Sequence, residues 1–448
     1  MESLLKKATK SADAAEVYSI TSEEVPVAFE ANKLKLLETK RTTGRALRII
    51  RRGRIGLAAS TVTTDSGEDD LVRMAVESSE IGDAAKFDFP GKSGSPDDAA
   101  LPAPQIYDPS VVEIKADELV DIGKNMISII TAYDPEIRCD INLSRYIEEV
   151  SIVNSNGGGG SYRKTGLFCG LAATAIDGND ILMVYRGIGS CRSGLDFRAL
   201  AEDILETLKL AKKIVPTDTG QMPVLFTPRG FMTLLLSIRA GLNGKTVYQG
   251  ASPLAEKMGL KAFDSRLSIY DDATFDWAVS SLPIDGEGVP TQRTPLIEEG
   301  VVRNFYYDLQ TAGLAGTSST GNGFREARSG DNFEGPPTPA TTNLIITPGD
   351  TDLVDIIASI DRGIIVDQTI GAGQGNILSG EFSINVHLGF KVEKGKIVGR
   401  VKNTMVAGNA LEALDDIEAI SKQTEWVYGE YSSPWFLIRS LGVATKSE

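Results

Sequence analysis

The chain has 448 residues, 42% of them apolar and 24% charged, a formal charge of −15 and a single histidine, His387. That length exceeds what one hydrophobic core organises, so two or three domains are expected. The acid excess repels phosphate backbones and anionic membranes, which argues against a nucleic-acid or membrane partner, and one imidazole excludes a zinc site built on two or three of them.

From Ala15 to Val62 the pattern is strand-rich, with Val17, Tyr18 and Ile20 in one run, Ala46–Ile50 in another, and Ile55–Val62 following an Arg52-Gly53 turn. Lys33, Lys35, Lys40, Arg41, Arg45, Arg48, Arg51, Arg52 and Arg54 are interleaved with leucine and isoleucine, as on a solvated amphipathic face. Ser66 with Asp69 three residues later predicts a cap, opening a helix to about Ile81. The Pro-, Gly- and Asp-rich stretch 89–110 reads as a linker or excursion and ends a first block at residue 110.

A second block, 111–216, is expected to pack with the first and opens with helix-period positions Leu119, Ile122, Met126 and Ile129. Strands near 137–153 and 162–175 flank four glycines, Gly157–Gly160, which read as a hairpin tip because no helix start follows them. A strand at 181–186 then precedes an amphipathic helix at 195–214. Cys139, Cys169 and Cys191 form no C-x-x-C pair and read as reduced, buried thiols of a cytosolic protein.

The third block, 217–448, starts with a short strand at 224–226 and an apolar helix at 230–240. Hairpins are predicted about Glu299-Gly300 and Lys394-Gly395, on either side of the Gly/Thr/Pro-rich segment 313–348. Asp271 and Asp272 are read as a solvated turn, since adjacent strand residues would face opposite ways. Gly371 to Asn376 has loosely nucleotide-loop spacing, but strand-like residues follow it and no helix start, so a phosphate cradle is disfavoured. His387 falls in the alternating run 381–392, on the polar face of a half-buried strand, as a surface or site-lining residue. The amino terminus lacks a signal-like apolar stretch, and the longest apolar run, near 231–238, is too short to cross a bilayer. A soluble, cytoplasmic protein is expected. Grouped strands with occasional helices predict an α+β fold, with a two-layer α/β region at the amino end and a mixed or antiparallel sheet dominating the carboxyl end.

No P-loop, nucleophile elbow or H-E-x-x-H is present. Two loops combine permissive backbone with small polar side chains: Ser318 to Arg325, and Gly335 to Asn343 with its stiff proline stretch. They suit contact with an extended peptide, whose main chain needs donors and acceptors; the plainer reading is a pair of long surface loops.

At these residues the chain resembles the TldD/PmbA family, also labelled modulators of DNA gyrase. The resemblance runs through Phe29–Leu34, Gly44–Arg48 and Arg54–Gly56. It continues through Pro336–Asn343, Ser379–Ser383, Gly389-Phe390, Glu393–Lys396 and Ala407–Asn409. The family's TldD branch carries H-E-x-x-x-H before G-L-x-G, where imidazoles hold a metal and the glutamate prepares water. Here Gly241-Leu242-Asn243-Gly244 is preceded by Leu235, Leu236 and Ala240 at those positions. The resemblance therefore implies the TldE/PmbA branch: a subunit without zinc of its own, paired with a TldD-like metallopeptidase or with a second copy of itself, and holding a peptide or unfolded segment. Gly321, Asn322, Arg325, Thr342, Asn343 and His387 are the candidate substrate contacts. Two alternatives stand beside it, a homodimeric binding or regulatory protein and a metal-free hydrolase using Ser, Thr or Cys with Lys.

Overall fold

A computed structural model describes residues 1–91, 103–325 and 333–446. Residues 92–102 of the expected excursion and 326–332 of the Gly/Thr/Pro-rich segment lie outside the described residues. The fold is α+β and strand-dominated, built on two large sheets.

The amino-terminal sheet is antiparallel, in the order Arg54–Ser60, Lys40–Arg51, Ala14–Glu30, Arg138–Asn154, Gly159–Asp177, Asp180–Ser190, with Lys33–Leu37 folded back onto Ala14–Glu30. Its centre joins the first two sequence blocks: Ala14–Glu30 pairs with Arg138–Asn154 from Glu16 opposite Asn154 to Phe29 opposite Ile141. Period-two alternation sends Val25, Val27, Phe29, Ile141, Leu143, Cys169 and Leu171 into one core. Helices Ala116–Thr131 and Phe197–Ala211 cover that face with Leu119, Met126, Ile130, Ile204 and Leu208. A separate small core under helix Asp65–Ser79 joins Leu4, Leu47, Ile49 and Leu71.

Two helix starts shift from expectation for the same reason, the identity of the capping oxygen. Thr64, not Ser66, caps Asp65–Ser79: its backbone is extended and its hydroxyl accepts from Gly67 N at 3.2 Å. Asp196 caps Phe197–Ala211 by accepting from Ala199 N at 2.8 Å. The three predicted dipeptide turns are present, with φ of 52° and 70° at Arg52-Gly53, 51° and 77° at Glu299-Gly300, and 47° and 73° at Lys394-Gly395. Positive φ at both positions is what a two-residue hairpin turn matching strand twist requires.

In the carboxyl-terminal sheet, Gly220–Phe226, Arg362–Ile370, Glu381–Glu393, Thr404–Asn409 and Tyr431–Thr445 pair in sequence around a ring. Tyr431–Thr445 closes it by bonding to Gly220–Phe226 as well as to Thr404–Asn409. Closure removes the free edges that an open sheet would present. From Tyr431–Thr445 the sheet extends outward through Leu344–Ile346, Ile269–Asp272 and Arg293–Glu298. Helix Met232–Leu242 sends Leu234, Leu235, Ile238 and Leu242 into the core with Phe226, Val366 and Phe436, where Phe231 stacks on Phe436 at 4.2 Å. Each such leucine contributes ~1.5–3 kcal/mol by burial, so the helix is anchored by its apolar face. Among the described residues no helix is long and apolar enough to cross a membrane.

Candidate functional site

Helix Met232–Leu242 ends in the sequence Gly241-Leu242-Asn243-Gly244, and the last two residues of that turn have mechanical tasks. Asn243 Oδ1 accepts from Lys245 N at 2.9 Å and so starts the short helix Gly244–Tyr248, while Nδ2 donates to the Pro339 carbonyl at 3.1 Å. Gly244 has no room for a side chain, since a Cβ there would lie 2.1 Å from the Tyr307 ring. The turn thus ties the helix to the Pro336–Asn343 segment.

That segment and the stretch 239–249 wall two cavities. One, about 570 Å³, is lined by Pro336–Pro339, Lys245, Tyr248 and Gln249 on one side and by Phe87, Lys86 and Arg48 of the amino-terminal half on the other. The second, about 240 Å³, is lined by Arg239, Ser280, Thr341, Thr342, Leu344, Glu430 and Tyr431. Its floor is organised by Asp271. The strand Ile269–Asp272 turns Asp271 inward and leaves Asp272 half-buried, which corrects the expected solvated turn. Asp271 accepts from Asn322 Nδ2 at 2.5 Å, Thr342 N at 2.7 Å and Thr342 Oγ1 at 2.8 Å. Burial pushes its carboxyl up to about 6; the Asn322 and Thr342 donors pull it back, and the charge of Asp272 adds to the rise.

A second buried polar chain runs from the amino-terminal sheet to the loops beside the larger cavity. Glu287 Oε1 accepts from Arg48 Nη1 at 2.5 Å, Arg48 Nη2 reaches Glu16 at 3.0 Å, and Glu16 accepts from Arg325 Nη2 at 2.7 Å. Arg48 also stacks on Phe87 and Phe89, and Arg325 on Tyr18. Arg48 is therefore not part of a solvated basic face, as its neighbours in sequence suggested.

The expected contact residues fall into three places. Gly321, Asn322, Thr342 and Asn343 gather about Asp271 and Asp272, with Asn343 Nδ2 donating to the Asp272 carbonyl at 2.7 Å and to Ser281 at 2.8 Å. Gly321 has φ of 74°, and a Cβ there would meet the Pro290 carbonyl at 2.5 Å. Arg325 belongs to the ion chain, buried and bonded to Glu16. His387 stands apart on Glu381–Glu393, donating from Nε2 to the Met183 carbonyl at 2.9 Å, and lines neither cavity. Of the six, Thr342 lines one of these two cavities; Gly321, Asn322, Arg325 and Asn343 brace the loops from inside. Gly371 to Asn376 form a turn that leads into the single-turn 3-10 helix Ile377–Ser379 before the strand, where a strand was expected to follow at once, and Gly371, Gln374 and Gly375 edge a further cavity of about 250 Å³ beside Thr233 and Ser237.

Three family models cover most of the chain: PmbA/TldA metallopeptidase domain 1 over residues 15–81, the central domain over 109–215 and the C-terminal domain over 219–445. The chain belongs to the PmbA/TldD family. An uncharacterised protein of Methanocaldococcus jannaschii is 26% identical over 94% of this chain and 96% of its own length. The metalloprotease TldD homolog of Haemophilus influenzae is 30% identical over 53% of this chain and 51% of its own. Among solved structures, TldE from Thermococcus kodakarensis superposes with a TM-score of 0.89 at 24% identity, covering 99% of each chain. A putative modulator of a DNA gyrase from Thermotoga maritima gives 0.86 at 21% identity, again over 99% of each. These likenesses establish the shared fold.

The positions at which the sequence resemblance places the family's metal-binding motif can be tested against a metal by their chemistry. Leu235, Leu236 and Ala240 carry alkyl groups with no lone pair, and Leu235 is locked in the core. They do not fit a zinc ion. Among the described residues no group of three or more His, Cys, Asp or Glu could hold one. The thiols offer no nucleophile either, because burial pushes Cys139 and Cys169 up to about 12 and Cys191 to about 11. Sequence reasoning missed Arg239, although its signal was present: it is the lone charged residue in the apolar helix Met232–Leu242.

Proposed function

We propose that this chain is the substrate-holding subunit of a two-chain peptidase of the PmbA/TldD kind. Its partner is a TldD-like family member that carries the metal and the glutamate, with a second copy of this chain as the alternative partner, and its substrate is an extended or unfolded peptide. The observation that carries this reading is the helix Met232–Leu242 and the turn after it: the family motif positions hold Leu235, Leu236 and Ala240, yet Arg239 near the helix end lines the smaller cavity, and Lys245, Tyr248 and Gln249 just beyond it line the larger, together with residues of Pro336–Asn343. The hydrolytic equipment is replaced while the walls of a binding site persist. Asn322, Arg325, Asn343 and Gly321 serve it by fixing the loops, and Thr342 by meeting the ligand; His387 supports the seam between the two sheets.

The test is reconstitution with a TldD-type relative that has the H-E-x-x-x-H helix, assayed on a fluorogenic unfolded peptide. Hydrolysis that a chelator abolishes is expected from the mixture and not from this chain alone. Stoichiometric zinc in the lone chain with chelator-sensitive turnover would overturn the assignment.

A further inference from the structure

We propose that the 240 Å³ cavity beside Arg239 is a subsite for a peptide carboxylate, a reading that rests on the peptide-holding role above. Among the described residues, every other arginine that the fold takes out of full exposure meets a carboxylate within 4.0 Å. The set runs from Arg45 with Glu68 and Arg48 with Glu287 to Arg229 with Glu425 and Arg400 with Asp180. Arg239 is half-buried, forms no such pair and donates no side-chain hydrogen bond to a described residue, in a chain with an excess of fifteen negative charges. A partly desolvated guanidinium left without an anion is a prepared anion site, because its fork of donors matches a carboxylate in two parallel hydrogen bonds.

The rest of the lining suits the same ligand. Ser280 and Thr341 line the same cavity as Arg239 and bring hydroxyl-bearing side chains to it, and Leu344 and Tyr431 add apolar side chains for the residue that carries the carboxylate. The volume is below the ~300 Å³ at which sites for drug-sized ligands begin, so the cavity holds one terminal residue or one acidic side chain. Glu430 lies on the exposed rim, where water screens it, and works against an incoming anion. Arg239 also has an ordinary role open to it, a cation in the last turn of its helix favoured by the macrodipole. That role leaves the pocket hydroxyls without a purpose and predicts no ligand.

The experiment uses the full chain and dye-labelled pentaalanine in three forms: free carboxyl terminus, amidated terminus, and amidated with a central glutamate. Fluorescence anisotropy should show the free acid binding about tenfold more tightly than the plain amide. Arg239→Gln should bring the acid to the level of the amide, Arg239→Lys should restore part of the difference, and Glu430→Gln should tighten the acid. Because Arg239 makes no ion pair, the Arg239→Gln chain should melt as the parent does, and an unchanged melt certifies the comparison. If the glutamate amide binds like the free acid, the ligand's carboxylate comes from a side chain; if it binds like the plain amide, the terminus supplies it. Equal binding of acid and amide, or a difference that survives Arg239→Gln, overturns the subsite. Failure of reconstituted hydrolysis with the acid–amide difference intact strikes the subunit assignment instead.

Discussion

Glu16 and Asp271 are both carboxylates removed from water, and the fold compensates them by different means. Glu16 sits between two guanidinium groups, Arg48 and Arg325, in a chain that reaches Glu287. Asp271 has only neutral donors, the amide of Asn322 and the backbone N–H and hydroxyl of Thr342. A formal counter-charge offsets the cost of taking the acid out of water but makes each partner indispensable. Neutral donors leave the acid responsive to proton concentration, because they only partly offset the cost of burying charge. One polar site is thus a fastening between the amino-terminal sheet and the loops of the carboxyl-terminal half, and the other a floor whose charge depends on pH.

The largest expected effect breaks the fastening. Arg48→Met leaves Glu16 and Glu287 facing each other's field without a guanidinium between them, and should lower unfolding stability by ~3–5 kcal/mol in urea titrations. Adding Glu287→Gln should recover part of that loss. A change below ~1 kcal/mol would mean that water reaches the chain and that the contrast with Asp271 is unfounded.

Next comes the floor. The Asp271 carboxyl is raised from 3.8 to about 6, so its contribution is fully present below pH 3.8 and is lost as pH rises through about 6. Between pH 4 and 7 that should remove roughly 2 kcal/mol from the parent relative to an Asp271→Asn chain. Stability measured across this window in both chains checks it, and parallel curves would erase the distinction. The smallest effect sharpens the same point. Asn322→Ala removes one donor, and should cost ~1–3 kcal/mol, with more lost at pH 7.5 than at pH 4.5, since the ionised carboxylate is the form that needs the bond. An equal cost at both values would show that Asn322 acts by packing alone.

What sequence could reveal follows from how far apart the partners lie. Arg52-Gly53, Glu299-Gly300 and Lys394-Gly395 were readable as hairpin turns because their conformation is dictated by two adjacent residues. The helices were readable from their apolar period, with starts displaced where Thr64 and Asp196 provided the capping oxygen. Asp271 was misread because a pair of adjacent acids looks solvated until its donors are known. Those come from positions 51 and 71 residues away. Arg48 was misread in the same way, its carboxylates being 32 and 239 residues distant. Arg325 and Asn343 were noticed as unusual polar residues, but local chemistry could not say whether they face outward to a ligand or inward to the frame.

The pairing at the centre of the amino-terminal sheet has a consequence for synthesis. Ala14–Glu30 finds one neighbour in the hairpin that follows it and the other only at Arg138–Asn154. A nascent chain must therefore carry this long strand with one side open until residue 154 has left the ribosome. Completion of the sheet is a late, topologically distant event in folding, and the unfinished edge is the surface most in need of shielding in the interval.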